Sequence, residues 1–328
     1  MTAAPIRWGI LGTGWIADQM VTDLIGSGLT VQAVGSRSQE AADAFADKYG
    51  IEHRYSSYEA LVNADDIDIV YVGTPHPLHF ENASMALRAG KHVLCEKPIT
   101  LNARDTKALV DLAAEQGVLL LEAMWTRFLP GHVRIREIIE AGTIGEVREL
   151  IADHNQNLPR DPKHRINNPE LGGGALLDLG IYPISFAYQL FGSPSTVLSH
   201  AAFTSTGVDR QTSIILGYED GRQAVLTTAL DLNGPVEAVI VGTAGRIELE
   251  PWWYAPGNFT VYNNDNEVIE RYEANERLRG MQYQAFEAEA LIRAGKTASD
   301  ILSPSDSVAI MQILDTVRSQ IGLVYPGE

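Results

Sequence analysis

Cysteine is nearly absent: Cys95 is alone among 328 residues. An intramolecular disulfide is thereby excluded, and the composition suits a reducing compartment, so a cytoplasmic location is expected. No apolar run reaches the roughly 20 residues that span a bilayer. The opening stretch, Met1 to Trp8, also lacks the basic-then-apolar order of a secretion signal. Positive charge is scarce, with 25 Lys and Arg against 42 Asp and Glu and a formal net charge of −17. Such an acidic chain argues against nucleic acid or an anionic membrane as a main partner. An anionic ligand must instead be held by local, well-placed donors. Histidine and acid spacings of the H-E-x-x-H kind are missing, so no metal is predicted. Internal repeats and low-complexity segments are missing too.

What remains is a globular balance, 45% hydrophobic and 20% charged, in a length that fits two domains. The first third alternates strand-like and helix-like segments. Ile6 to Leu11, Thr30 to Ser36, Ile67 to Gly73, His92 to Cys95 and Val118 to Leu121 read as strands. Ser38 to Tyr49, His79 to Ala89 and Asn102 to Gln116 read as helices that stop at Gly50, Gly90 and Gly117. Ser56 and Glu59 form a capping box that opens a further helix. Strands alternating with helices in this way predict right-handed crossovers and a parallel, doubly wound sheet.

Beyond about Glu122 the pattern changes. Helices are expected at His132 to Glu140 and about Ala175 to Phe191, followed by a run of strands. Gln211 to Tyr218 and Gln223 to Leu230 flank an Asp220-Gly221 hairpin signal. Val236 to Val241, Arg246 to Glu250, Asn258 to Tyr262 and Glu267 to Tyr272 continue the run on short connections, which makes them mostly antiparallel. Two helices, about Gln282 to Arg293 and Ser305 to Ile321, close the chain. The expected architecture is α/β: residues 1–123 form a dinucleotide-binding Rossmann domain. Residues 124–328 form an α+β domain with a broad, mostly antiparallel sheet for substrate binding and oligomerisation.

Gly12-Thr13-Gly14-Trp15-Ile16-Ala17 matches G-x-G-x-x-G/A, directly after a strand and opening a helix, the context that makes the motif meaningful. Gly12 permits the turn, and Gly14 lets backbone approach a pyrophosphate at the helix N-terminus. Ala17 keeps helix and sheet close. At the end of the second strand an NAD site carries Asp or Glu, whereas this chain has Gly35-Ser36-Arg37-Ser38. Ser36 can donate to a 2′-phosphate, and Arg37 can pair with it and lie on the adenine. NADP is expected in preference to NAD.

Cys95-Glu96-Lys97-Pro98 lies at a strand's carboxyl end, where ligands bind in such folds. Gly172-Gly173-Gly174-Ala175-Leu176-Leu177-Asp178-Leu179-Gly180-Ile181-Tyr182-Pro183 forms a second signature, with Asp178 and Tyr182 four residues apart on one helical face. Together with the dinucleotide fingerprint, Glu-Lys-Pro after a strand resembles the glucose–fructose oxidoreductase/inositol dehydrogenase/MocA-type (Gfo/Idh/MocA) family. Tyr182, where many relatives carry His, resembles the branch with dimeric dihydrodiol dehydrogenase and NADP-dependent xylose dehydrogenase. So does Glu122-Ala123-Met124-Trp125-Thr126-Arg127-Phe128.

The resemblance implies a cis Lys97–Pro98 bond and a homodimer or higher homo-oligomer formed through the broad sheet. It also implies hydride exchange between NADP and a carbohydrate-like alcohol: an aldose, a polyol or a related cyclic diol. Lys97, Tyr182 and Asp178 are the catalytic candidates. A tyrosine with its ordinary pKa near 10 is a poor base, and a neighbouring ammonium would lower that value. Lys97 and Tyr182 can thus act as one unit, with Asp178 positioning a hydroxyl or holding Lys97 charged. Gly12, Gly14, Trp15, Ile16, Ser36, Arg37, Thr74, His79, Glu96 and Lys97 are the candidate cofactor contacts, with His76 a weaker one. Trp125, Arg127 and His154 are candidate substrate contacts. Trp252-Trp253-Tyr254 fits either stacking on a sugar or filling a subunit interface. Two alternatives stay open: a trans-dihydrodiol dehydrogenase, and a non-catalytic dinucleotide-sensing regulator of the same fold.

Overall fold

Continuous apolar stretches make buried parallel strands, and their punctuation sets where the helices begin and end. The computed structural model describes residues 4–328. It forms two compact units: residues up to Trp125 together with Arg277–Val308, and Thr126–Glu276 together with Ala309–Glu328.

In the first unit, β1 (Arg7–Leu11), α1 (Trp15–Gly26), β2 (Thr30–Gly35), α2 (Gln39–Tyr49), β3 (His53–Tyr55) and α3 (Tyr58–Val62) follow one another. Next come β4 (Ile69–Val72), α4 (His79–Arg88), β5 (His92–Glu96), α5 (Ala103–Gln116) and β6 (Leu120–Ala123). The sheet order is β3-β2-β1-β4-β5-β6, parallel throughout. Chain direction across the sheet reverses between β1 and β4, the switch point at which such sheets bind ligands. Trp8, Ile10, Leu11 and all of β4 are buried.

Ser38 caps α2 by accepting from the Ala41 amide at 3.3 Å, and Asn102 caps α5 by accepting from Asp105 at 2.9 Å. Gly50 and Gly117 end these helices at φ 68° and 66°. The capping box expected on Ser56 and Glu59 is one residue out of register. Ser57 takes the extended conformation before Tyr58 and accepts from the Ala60 amide at 3.1 Å.

The second unit contains α6 (Pro130–Glu140), β7 (Val147–Asn155), α7 (Ile181–Phe191), β8 (Thr196–Phe203), β9 (Asp209–Gly217) and β10 (Gln223–Ala229). Then follow β11 (Ala238–Gly242), β12 (Gly245–Leu249), β13 (Phe259–Asn263) and β14 (Val268–Tyr272). Their order is β14-β13-β12-β11-β7-β10-β9-β8, with β7–β10 the parallel pair among antiparallel neighbours. The hairpin at Asp220-Gly221 closes with Tyr218 donating to the Arg222 carbonyl at 3.0 Å. Strands β7 and β8 were not expected from the sequence. In β7, Leu150, Ala152 and His154 face inward, but Arg148, Glu149 and Asp153 dilute the apolar signal.

The sequence boundary at residue 123 does not anticipate the return of the chain to the first unit. There α8 (Gln282–Arg293) packs on the parallel sheet, and the Trp8 indole donates to Glu289 at 3.1 Å. The last helix is α9 (Pro304–Ile321). No helix among the described residues is long and apolar enough to cross a membrane.

Candidate active site

The turn between β1 and α1 is built to leave backbone bare. Gly12 sits at φ 105°, and a Cβ there would come within 3.1 Å of the Gly73 carbonyl. Its amide donates to Gly35 at 3.0 Å. Gly14 is the residue preceding α1, carries no capping side chain, and has open space where a Cβ would be. The amides of the first turn of α1 are therefore presented outward, the arrangement that suits a phosphate. Ala17 is fully buried, and the close approach of α1 also needs Gly73, whose Cβ would lie 2.8 Å from the Tyr71 ring and 3.5 Å from Ala17. These features fit a dinucleotide pyrophosphate.

Ser36 and Arg37 follow β2. The Ser36 hydroxyl lies 3.3 Å from that of Thr13, and its amide donates to Tyr55 at 3.0 Å. Arg37 is exposed and faces Tyr58, whose phenol burial pushes above its ordinary pKa. The first carboxylate after β2 is Glu40, inside the first turn of α2.

After β4, Thr74 is buried, and its hydroxyl accepts from Asn82 at 3.1 Å. His79 is fully buried, with Nε2 2.8 Å from the Thr74 carbonyl and Nδ1 2.8 Å from the Pro98 carbonyl. Only an imidazolium can donate to both. Burial, however, pushes the His79 pKa below its ordinary value, and the Lys97 charge lowers it further. Both ring nitrogens are committed within the protein, so His79 joins the loop after β4 to the loop after β5. His76 lies edge-on to it at 5.7 Å.

The Lys97–Pro98 bond is cis. Glu96 is buried and accepts from the Tyr71 hydroxyl at 2.7 Å and the Lys97 amide at 3.2 Å. Glu122 supports the same loop by accepting from the Ile99 amide at 3.1 Å and the Ser307 hydroxyl at 2.6 Å. Lys97 is half-buried. Cys95 is buried, which pushes its thiol well above the ordinary range.

In the second unit two of the three glycines, Gly173 and Gly174, have a specific cause. A Cβ on Gly173 would meet the Ile166 carbonyl at 2.5 Å, and one on Gly174, at φ 119°, would meet Asp209 Oδ1 at 2.3 Å. Asp209 is fully buried. Its Oδ2 accepts from the Leu176 amide at 2.8 Å and the Thr212 hydroxyl at 2.7 Å. It thus caps, from a different strand, the turn that leads into α7. Burial raises its pKa to about 6. The Tyr325 hydroxyl donates to the Gly173 carbonyl at 2.6 Å and secures the turn from the C-terminal segment.

Leu176–Gly180 is a π turn rather than the plain helix expected. Asp178 is buried on it and accepts from Arg165 at 3.1 Å. Tyr182 follows on α7, with its ring centroid 5.0 Å from that of His154 and 5.2 Å from that of Tyr254. His154 is fully buried. Its Nδ1 donates to the Leu179 carbonyl at 3.2 Å, while Nε2 accepts from Gln156 at 2.8 Å. Gln156 also donates to the Tyr254 hydroxyl at 3.1 Å. His154, Tyr182, Tyr254 and Gln156 therefore form one packed wall in which the ring of Tyr182 is held firmly.

The other substrate candidates separate. Arg127 is buried and donates to the Ser185 hydroxyl at 3.0 Å and carbonyl at 2.8 Å. Trp125 is buried in the first unit, beneath Arg279. The Trp252-Trp253-Tyr254 run splits three ways: Trp252 is exposed, Trp253 stacks on Phe186 at 5.3 Å, and Tyr254 joins the wall. Among the described residues, no group of three or more His, Cys, Asp or Glu is arranged to hold a metal. Gln156, Asp209 and Arg279 were not singled out in the sequence, whereas Tyr254 was, within the aromatic run at 252–254.

Comparison with known proteins agrees with this geometry. Residues 6–124 match the oxidoreductase family with an NAD-binding Rossmann fold, and residues 132–248 match the GFO/IDH/MocA C-terminal domain. The trans-1,2-dihydrobenzene-1,2-diol dehydrogenase of Xenopus laevis is 35% identical over 98% of this chain and 99% of its own. The D-xylose 1-dehydrogenase (NADP(+)) of Hypocrea jecorina is 33% identical over 98% of this chain and 93% of its own. Among solved structures, a 3-ketoreductase from Actinomadura kijaniata in complex with NADP and TDP-benzene has a TM-score of 0.86 at 28% identity, covering 97% of this chain and 98% of that one.

Proposed function

This chain belongs to the GFO/IDH/MocA oxidoreductase family, and on that premise we propose that it transfers hydride between NADP and a carbohydrate-like alcohol or its carbonyl. The observation that carries the cofactor choice is the sequence after β2. Ser36 and Arg37 stand where a carboxylate would repel a 2′-phosphate, beside the bare N-terminus of α1. Gly12, Gly14, Trp15 and Ile16 would hold the pyrophosphate, Thr74, Glu96 and Lys97 the nicotinamide half, and the second unit the substrate. When bound, the nicotinamide accepts or supplies the hydride. Everything else is proton management by the chain. Tyr182 takes the hydroxyl proton as the carbonyl forms and returns it in reduction. The ammonium of Lys97 favours the phenolate form of Tyr182, because a nearby positive charge stabilises an anion. Asp178 orients the reacting hydroxyl. The wall of His154, Gln156 and Tyr254 fixes the ring of Tyr182, which limits the orientations from which it must react.

Aldoses, polyols and cyclic diols share the required secondary alcohol. A trans-dihydrodiol substrate is the second reading. It is favoured by the aromatic wall around Tyr182 and by the 35% identity to a dehydrogenase named for that substrate. A panel of sugars, polyols and dihydrodiols, followed by NADPH absorbance, decides between the classes. Turnover of none of them with either dinucleotide would refute the oxidoreductase reading. Arg37→Ala is expected to weaken NADP far more than NAD. Equal losses, measured by calorimetry, would show that Arg37 does not read the 2′-phosphate.

A second copy of the chain is the proposed cover for the open face of the eight-stranded sheet. Leu198, Ile215, Val225, Ile151 and Val239 align in register across β8, β9, β10, β7 and β11. Leu198, Ile215 and Ile151 are 57%, 44% and 46% exposed. A continuous apolar row of this kind is a recurring mark of subunit contact.

A further inference from the structure

Arg279 is an exposed cation of the first unit whose guanidinium is held over two indoles rather than by an acidic partner, among the described residues. Its backbone is tied to α1: the amides of Arg279 and Met281 donate to Asp23 Oδ1 and Oδ2 at 3.2 and 2.8 Å. One residue earlier, Leu278 lies on Gly26, where a Cβ would come within 3.0 Å of it. From that anchor the side chain runs back toward the N-terminus of α1. Asp23 and Trp15 are separated by about 12 Å of helix. The guanidinium carbon of Arg279 ends 5.2 Å from the Trp15 ring and 5.4 Å from the Trp125 ring. Contacts with ring faces hold the cation and leave its N–H donors open to solvent, available to an anionic ligand. Among the described residues no carboxylate or carbonyl accepts from that side chain, although the chain carries a net charge of −17. Trp15 is the first residue of α1, directly after the bare Gly12-Thr13-Gly14 turn.

We propose that Arg279 is a diphosphate-binding residue of the dinucleotide site. It adds a fixed, mobile-proton-free charge to the backbone amides of α1, and its forked donors match two phosphate oxygens. The inference rests on the dinucleotide reading above and extends it to a residue more than 260 positions after the glycine fingerprint. It also gives the return of Arg277–Val308 to the first unit a binding role.

The test compares Arg279→Gln, Arg279→Lys, Arg37→Ala and the parent protein by calorimetry, with NADP, NAD and adenosine 2′-monophosphate as probes. Arg279→Gln should weaken NADP and NAD by the same factor, about ten- to a hundredfold, as expected for one charged hydrogen-bonding contact. Adenosine 2′-monophosphate, which lacks the diphosphate, should bind unchanged. Arg279→Lys should recover part of the loss, and the unfolding temperature should not move. Unaltered dinucleotide affinity in Arg279→Gln overturns the proposal, as does a rise confined to the KM of the alcohol. An equal loss for adenosine 2′-monophosphate overturns it as well. If the parent protein binds neither dinucleotide, the reading of the whole site falls with it; if the parent binds and Arg279→Gln is unaffected, only this inference falls.

Discussion

Replacing Gly174 by alanine should damage the second unit more than its single methyl group suggests. Two costs combine there. A side chain at φ 119° enters a region that L residues rarely adopt, which costs about 1–3 kcal/mol. The new Cβ would also lie 2.3 Å from Asp209 Oδ1. That carboxylate cannot swing away without losing the Leu176 amide at 2.8 Å and the Thr212 hydroxyl at 2.7 Å, so overpacking adds roughly another 1–3 kcal/mol. Gly207 is the internal control. It has φ 91° in the same unit, with no atom within 4 Å of its would-be Cβ, so Gly207→Ala carries the backbone cost alone. Urea unfolding followed by circular dichroism measures both. Gly174→Ala should be the less stable by about 1–3 kcal/mol, and most of that difference should vanish in an Asp209→Ala background. Equal losses at the two glycines would refute the claim that Asp209 dictates the glycine.

Two further outcomes follow from the same geometry. Asp209 keeps its proton to about pH 6 in the native protein, above its unfolded value of 3.8, so the native state binds more protons between those limits. Stability should therefore fall by up to about 3 kcal/mol as pH rises from 4 to 6, and Asp209→Asn should flatten that fall; parallel unfolding profiles for the two proteins would contradict this. Ile215→Lys places a charge within the apolar row on the open sheet face, so light scattering should show the parent as a dimer or larger and the variant as a monomer; a monomeric parent at micromolar concentration would count against the interface.

Much of this molecule is legible in its sequence where a residue type has one physical use. Gly12 marks a turn that tolerates no side chain, Gly14 leaves the start of the helix bare, and their position after a strand already tells the purpose. Lys97-Pro98 is legible in the same way, through its place at a strand end. The three glycines 172–174 announce a tight turn, but the cause of Gly173 and Gly174 lies in Asp209, Ile166 and Tyr325, not in any local pattern. Arg127 and Arg279 show the limit most clearly. Both are arginines beside aromatic residues in the chain or in space. One is buried and spends donors on Ser185, and the other is exposed and lies over two indoles. Tertiary packing alone makes that difference. Strand β7 escaped notice for a related reason: at the centre of the sheet its outward face carries charges and Ile151, which hide the inward alternation of Leu150, Ala152 and His154. The return of α8 to the first unit was equally hidden, since helix periodicity reports a buried face and not its partner.

If Lys97 and Tyr182 manage the proton together, as proposed above, single-turnover rates of the two single mutants and the double mutant will show it. Tyr182→Phe and Lys97→Met should each slow the chemical step by about 10²-fold or more, the scale of lost general acid–base catalysis. The double mutant should lose little beyond the worse single mutant, since groups that act as a unit are not additive. NADP affinity should hold in Tyr182→Phe. A Tyr182→Phe enzyme that turns over within a few-fold of the parent would rule out Tyr182 as the proton carrier.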